Sequence, residues 1–68
     1  MNSKELKIEM MRNNENGTHL SKILGISRQT LSNKMCNRNG SDFTREEIAI
    51  IKDHYALSND RVDEIFFG

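Results

Sequence analysis

The sequence predicts an all-α protein, a compact bundle of about five short helices that forms one domain over residues 1–68. Two observations lead to this fold class. The chain has no proline and no alternating run of β-branched residues of the kind that a strand needs. Apolar residues recur instead at spacings of three and four, and polar stop signals separate the apolar segments.

The composition indicates which partners and which cellular compartment the protein has. The formal net charge is zero, but residues 1–40 carry seven basic and three acidic side chains, whereas residues 41–68 carry three basic and seven acidic ones. The basic part can face a polyanion while the acidic part faces away. The single Cys36 cannot form an internal disulfide, which indicates a reducing cytosol. Because no apolar run reaches about 18 residues and the charged start is unlike a signal peptide, we expect a soluble cytoplasmic protein.

The first helix is predicted over Lys4–Asn13, with Ser3 as its N-cap. Leu6 and Met10 lie four residues apart, so they share one face of this helix. The polar segment 13–17, with the sequence NNENG, ends it.

The second helix is predicted to start near Asn16 or Thr18, either of which can cap it. Its apolar face consists of Leu20, Ile23 and Leu24. Gly25 ends this helix, because glycine readily adopts the positive φ that redirects the chain within a short turn.

A third helix is predicted over Arg28–Met35, with Ser27 as its cap. Its two apolar residues, Leu31 and Met35, lie four residues apart and therefore share a face. Ile26 is the only apolar residue of the preceding turn, and with Leu31 it locks the third helix against the second. The outer face of the third helix is then polar and free.

Residues 37–41 form a loop by composition. The segment Thr44–Glu47 is a capping box, which starts a fourth helix that runs to about Tyr55. Phe43, just before the cap, can pack on Ile48 as a hydrophobic staple.

A short fifth helix is predicted over Asn59–Phe66, with Ser58 as its cap. Phe66 and Phe67 are adjacent aromatics that point in different directions from a helix. One can be buried, and the other is then an exposed anchor for a second subunit. The alternative is that both cover the open end of the core.

The most informative pattern lies in residues 20–32, LSKILGISRQTLS. Residues 24–28 (LGISR), followed by 30–32 (TLS) and 34–35 (KM), resemble the turn and recognition helix of the Cro-like and lambda-repressor-like phage regulators, the XRE family. Later segments, FTREEI and the closing IFF, resemble small phage-encoded members of that family. The resemblance covers nearly the whole chain. It implies a helix-turn-helix fold in which one helix crosses the DNA backbone and the next enters the major groove.

One position departs from the family pattern. The family commonly starts its second helix with glutamine, which contacts a phosphate and braces the recognition helix, whereas Gly17 stands at the matching position here. An exposed backbone amide at a helix start can still bind phosphate, and Asn16 or Thr18 can add a hydrogen bond.

The resemblance assigns base reading to the polar face of the third helix, namely to Arg28, Gln29, Ser32 and Asn33. Arginine can hold guanine, and glutamine or asparagine can hold adenine, through two hydrogen bonds that discriminate by about 1–3 kcal/mol. Contacts to the DNA backbone are expected from Asn16, Gly17, Thr18, Lys22, Ser27, Lys34, Asn37 and Arg38. The alternative for each of these polar side chains is plain solvation on a helix exterior.

The resemblance implies a phage or prophage repressor that binds a pseudo-palindromic DNA operator as a homodimer, without a cofactor, membrane or small-molecule ligand. A protein-binding module such as an antitoxin or antirepressor is the alternative, and it would use the acidic C-terminal half and the terminal aromatics. His19 and His54 lie on different predicted helices, with no cysteine or obvious carboxylate cluster beside them. We therefore expect them to be ordinary surface residues, and we expect neither an enzyme nor a metal site.

Overall fold

The computed structural model describes residues 1–68, which form five α-helices and no strand. The helices are α1 (Ser3–Arg12), α2 (Gly17–Leu24), α3 (Arg28–Met35), α4 (Arg45–His54) and α5 (Asn59–Val62). A 3₁₀ turn, Arg38–Gly40, follows α3 within the predicted loop. The predicted all-helical class and the number of helices are confirmed. None of the helices has both the length and the apolar character that a membrane crossing requires.

Side-chain caps begin these helices, as the sequence predicts. Ser27, Thr44 and Ser58 each accept a hydrogen bond from the backbone amide three residues later, at 3.0–3.1 Å. The capping box of α4 is complete, because the Glu47 carboxylate accepts from the Thr44 amide at 2.9 Å. These caps satisfy amides that have no partner inside the helix.

At the first two helices the structure decides between the two caps predicted for α2 and corrects the cap predicted for α1. Asn16, and not Thr18, caps α2 by accepting from the amide three residues on at 3.1 Å. The prediction of Ser3 as the cap of α1 is wrong, because Ser3 is already helical and Asn2 has the extended backbone of a cap. The Asn2 amide also donates to the Ile65 carbonyl at 2.6 Å, which ties the start of the chain to its end.

The predicted fifth helix changes from α-helical to π-helical geometry along its length. It is α-helical only over Asn59–Val62, and it continues as a π-helical turn over Asp63–Phe67. In this wider turn Ile65 and Phe66 are both buried, although they are consecutive in the chain. Phe67 is 70% exposed. Of the two alternatives for the terminal aromatics, the structure therefore shows the one in which Phe66 is buried and Phe67 is exposed.

The turn between α2 and α3 has the geometry predicted from Gly25. Gly25 has φ 70° and ψ 29°, in the left-handed region that glycine adopts without strain. Its amide donates to the Lys22 carbonyl at 3.2 Å, and the Ile26 amide donates to the Ser21 carbonyl at 3.0 Å. This pair of bonds is a Schellman motif. It leaves only residues 25–27 between the two helices.

One apolar core joins all five helices. Its fully buried centre takes one side chain from each of the first four helices and one from the turn that follows α5: Leu6, Leu20, Leu31, Ile51 and Ile65. Phe43 packs edge-to-face on Phe66, with the ring centroids 5.5 Å apart. Each short helix therefore depends on one central anchor, and α3 in particular depends on Leu31.

An ion-pair network fastens α5 to α1. The Arg61 guanidinium donates to Glu9 at 2.7 Å, to Glu5 at 3.0 Å and to Glu64 at 3.0 Å. Hydrogen bonding to Glu9, reinforced by the other two carboxylates, raises the pKa of Arg61 above its ordinary value. The Glu9 side chain is only 8% exposed, so Arg61 satisfies a carboxylate that water scarcely reaches.

Candidate nucleic-acid interface

Helices α2 and α3, with the loop after them, form a continuous basic region of the chain. We call residues 16–41 the α2–α3 segment. It contains four basic residues, Lys22, Arg28, Lys34 and Arg38, and it contains no acidic residue, whereas all ten acidic residues of the chain lie outside it. Such a distribution attracts polyanions even though the net charge of the chain is zero.

Helix α3 presents most of its surface to solvent. Leu31 is its only buried residue. Of the residues predicted to read bases, Arg28, Gln29 and Ser32 are exposed, and Asn33 is half-buried. A helix that is polar on most sides gains little from packing, so its free polar face is available to a partner.

Gln29 and Asn33 form a pair on this face. The Gln29 Nε2 donates to the Asn33 Oδ1 at 3.1 Å, one helical turn away. This bond leaves the Gln29 carbonyl oxygen as an acceptor and the Asn33 amide nitrogen as a donor. An acceptor beside a donor is the combination that the N6 and N7 edge of adenine requires.

Arg28 reaches back from α3 across the first turn of α2. Its Nη1 donates to the Thr18 Oγ1 at 3.0 Å. A Cβ added to Gly17 would lie 2.7 Å from the Arg28 Nε, so glycine leaves the space that the guanidinium occupies. From the sequence, Gly17 is only the loss of a side-chain contact. Its steric role depends on packing between two helices, so no local pattern predicts it. The guanidinium thus lies at the start of α2, away from the outward position that base reading implies.

Asn16 and Ser27 use their side-chain oxygens as caps, for α2 and α3 respectively. Lys22 is exposed and forms no ion pair. Asn37 has a left-handed backbone, and its side chain donates to the Ser41 carbonyl at 3.0 Å. Arg38 is exposed in the 3₁₀ turn that follows. The structure therefore places Asn16 at the start of α2, Lys22 in the last turn of α2, Ser27 at the start of α3, and Asn37 and Arg38 just after α3.

Lys34 is placed differently from its predicted role. Its Nζ lies 2.9 Å from the Glu47 Oε1 and 3.0 Å from the Asp42 carbonyl oxygen, and its side chain is only 15% exposed. Burial alone would raise the pKa of Glu47, but the Thr44 amide and the Lys34 ammonium hold that pKa below its usual value. Lys34 thus joins α3 to the start of α4, and the Glu47 carboxylate largely neutralises its charge.

The pairing pattern strengthens the basic character of the first half of the chain. Glu5 and Glu9 pair with Arg61, and Glu15 pairs with His54. Five basic side chains in residues 1–40 form no ion pair: Lys4, Lys7, Lys22, Arg28 and Arg38. The acidic groups of this half are therefore satisfied internally, while most of its basic groups face solvent.

A second cluster of polar groups lies where the start of α2 meets the end of α4. The Glu15 Oε2 lies 2.8 Å from the His54 Nε2 and 3.4 Å from the His19 Nε2. The Tyr55 hydroxyl donates to the Glu15 Oε1 at 2.9 Å. Burial raises the pKa of Glu15, but the bonds from His54 and Tyr55 outweigh this effect and hold that pKa below its usual value.

This cluster is not predicted from the sequence, which indicates ordinary surface residues at both His19 and His54. Glu15 and His19 have the i, i+4 spacing that could have paired them. His54 is 39 residues from Glu15, and only the packing of α4 beside α2 brings it close. No local sequence pattern predicts the contact between His54 and Glu15.

Comparison of the chain with protein-family models, with curated proteins and with solved structures gives no match. The likeness of the turn and the third helix to the XRE family therefore stays a sequence-based hypothesis.

Proposed function

We propose that the protein is a sequence-specific regulator that binds double-stranded DNA with α3 in the major groove, in the manner of a Cro-like repressor. The observation that carries this proposal is the α2–α3 segment, which has four basic and no acidic residues and contains α3, a helix with an exposed polar face. Double-stranded DNA combines a dense negative charge with base edges that such a face can read.

The dimensions of α3 fit this role. An α-helix with its side chains is about 10–12 Å across, and the major groove is about 12 Å wide, so α3 can lie in the groove. The three-residue turn at Gly25 lets α2 support α3 without covering its outer face. We assign base reading to Gln29, Ser32 and Asn33, with the Gln29–Asn33 pair directed at adenine.

We assign Arg28 to a phosphate. Its guanidinium is held by the Thr18 hydroxyl beside the first amides of α2, and a helix start with a neighbouring cation attracts an anion. The Arg28 side chain would thus replace the contact that glutamine makes in the family, with Gly17 leaving room for it. Lys22 and Arg38 are exposed cations that can add further phosphate contacts.

We propose that two copies bind a two-fold operator. A single α3 reads only a few base pairs, whereas two copies related by a two-fold axis read two half-sites one helical turn apart. Phe67 is a large exposed apolar side chain of the kind that dimer interfaces bury.

The proposal is tested by the salt dependence of DNA binding. With Lys22, Arg28 and Arg38 on phosphates, the logarithm of affinity should fall with the logarithm of salt concentration with a slope of about −3 per protomer. Fluorescence anisotropy with a duplex chosen from a random pool measures this slope. Absence of binding even at low salt would contradict the proposal and favour a protein-binding module, such as an antitoxin or antirepressor.

A further inference from the structure

We propose that Glu15, His19 and His54 form a binding site for one divalent transition-metal ion, with Zn²⁺ as the best-fitting ion. The inference does not rest on the proposed DNA binding. It concerns the junction between the start of α2 and the end of α4, and it gives a role to the only two histidines of the chain.

The spacing of the three ligand atoms fits a tetrahedral ion. One nitrogen from each histidine and one oxygen from Glu15 all lie within 4.8 Å of one another. Bonds of about 2.0–2.1 Å to a tetrahedral zinc ion place its ligand atoms about 3.3 Å apart. The observed separations from the Glu15 Oε2, 2.8 Å to His54 and 3.4 Å to His19, lie on either side of that value. The two histidine nitrogens lie within 4.8 Å of each other, so they must approach by up to about 1.5 Å to reach this tetrahedral spacing.

The donor set favours zinc-like ions. Two imidazole nitrogens and one carboxylate oxygen suit Zn²⁺ and its transition-metal neighbours, whereas Mg²⁺ and Ca²⁺ require mostly oxygen ligands. Three protein ligands leave the fourth position for water. The side chains of His19 and His54 are 56% and 30% exposed, so an ion can reach them from solvent.

The carboxylate is already oriented for this task. Tyr55, which is buried, donates a hydrogen bond from its hydroxyl to the Glu15 Oε1, and the Oε2 is the carboxylate oxygen nearest to both histidines. Hydrogen bonds from such outer groups to a ligating carboxylate commonly increase metal affinity. Tyr55 is therefore a positioning residue for the site.

The ion would join the start of α2 to the end of α4. The only ion pair that links them now is His54–Glu15, which requires a protonated histidine. Glu15 and His19 lie on either side of residues 16–18, and His54 is the last residue of α4. Because the unfolded chain lacks this arrangement, zinc binding should stabilise the folded state. At free zinc 100-fold above its Kd, we expect the melting temperature to rise by roughly 10 °C or more.

The test is calorimetric titration of the untagged 68-residue chain with zinc chloride, in the Cys36→Ser background that removes its only thiol. We expect one ion per chain. His19→Ala and His54→Ala should each lower the affinity at least about 10-fold, and Tyr55→Phe should lower it by about 10- to 100-fold. Asp53→Asn removes an exposed carboxylate next to His54 and should leave the affinity unchanged.

Cobalt provides an independent spectroscopic reading. Co²⁺ bound to the wild-type chain should give tetrahedral d–d bands without thiolate charge transfer, and His19→Ala should abolish them. His19 is the more exposed histidine, so this variant keeps the test valid if His54→Ala does not fold. The proposal is overturned if zinc does not bind saturably, if the loss of either histidine leaves the zinc affinity unchanged, or if one ion binds two chains.

Discussion

Gly17 and Arg28 act as a pair at the junction of α2 and α3. The hydrogen that glycine carries in place of a side chain leaves room for the guanidinium, and the Thr18 hydroxyl then holds it. Since Arg28 has no carboxylate partner, its charge remains available to an anion. The steric role of Gly17 could not be predicted from sequence, because the atoms that meet it come from a side chain eleven residues away.

Arg28→Ala and Gln29→Ala should affect DNA binding in different ways. Loss of a phosphate contact weakens binding to all sequences about equally and reduces the salt slope by about 1. Loss of a base contact costs about 1–3 kcal/mol on the preferred site and relaxes the preference at one base pair. Competition binding with preferred and scrambled duplexes measures both effects. A uniform loss for Gln29→Ala would argue against its role in base reading.

Glu47 should make the fold sensitive to acid. Its pKa in the folded protein lies below the ordinary value of 4.5, so the ionised form stabilises the fold above that pH. This contribution is lost as the pH falls from about 4.5 through the folded pKa. Urea unfolding at pH 7 and at pH 3 should therefore show a smaller acid-induced loss for Glu47→Gln than for the wild type. Equal losses in the two proteins would contradict the assignment.

At the scale of the elements, the sequence contains most of what is needed to predict the helices. The caps Ser27, Thr44 and Ser58 and the stop at Gly25 act within four residues of the chain, so their patterns can be read directly. The end of α5 is different. Its π-helical turn over Asp63–Phe67 lies against the rest of the fold, and the Ile65 carbonyl bonds to Asn2, which no local pattern specifies.

Two glycine substitutions should separate backbone strain from side-chain placement. Gly25→Ala meets no atom within 4 Å, but it forces a positive φ on alanine and should destabilise the fold by about 1–2 kcal/mol. Gly17→Ala lies at a helical position and should change stability by less than about 0.5 kcal/mol, while it displaces Arg28 and weakens DNA binding. Chemical denaturation and anisotropy measure the two effects. A stability loss at Gly17 as large as that at Gly25 would contradict this distinction.

At the scale of the whole molecule, contacts between distant residues set the charge distribution. Arg61 is 52 residues from Glu9, and His54 is 39 residues from Glu15. These pairs join acidic groups of residues 1–40 to residues of the second half, so more basic side chains of residues 1–40 stay unpaired than the net charge of that half predicts. The sequence contains the charges, but it does not specify which of them meet.

Arg61→Ala should be among the most destabilising single changes. It leaves the nearly buried Glu9 carboxylate without its main partner, which should cost about 3 kcal/mol at neutral pH. Arg12 also contacts Glu9, at 3.3 Å, but its side chain is 68% exposed. Arg12→Ala should therefore cost less than about 1 kcal/mol. Thermal melting of both variants provides the comparison, and similar melting temperatures would show that the buried network is not what holds α5 to α1.

Selection of bound duplexes from a random pool tests the central claim most directly. If α3 enters the major groove of a two-fold operator, the selected sequences should share two inverted half-sites whose centres lie about one helical turn apart. Adenine should recur at the position that Gln29→Ala alters. Recovery of sequences with no shared motif, or of none above background, would contradict the assignment of this protein as a sequence-specific DNA-binding regulator.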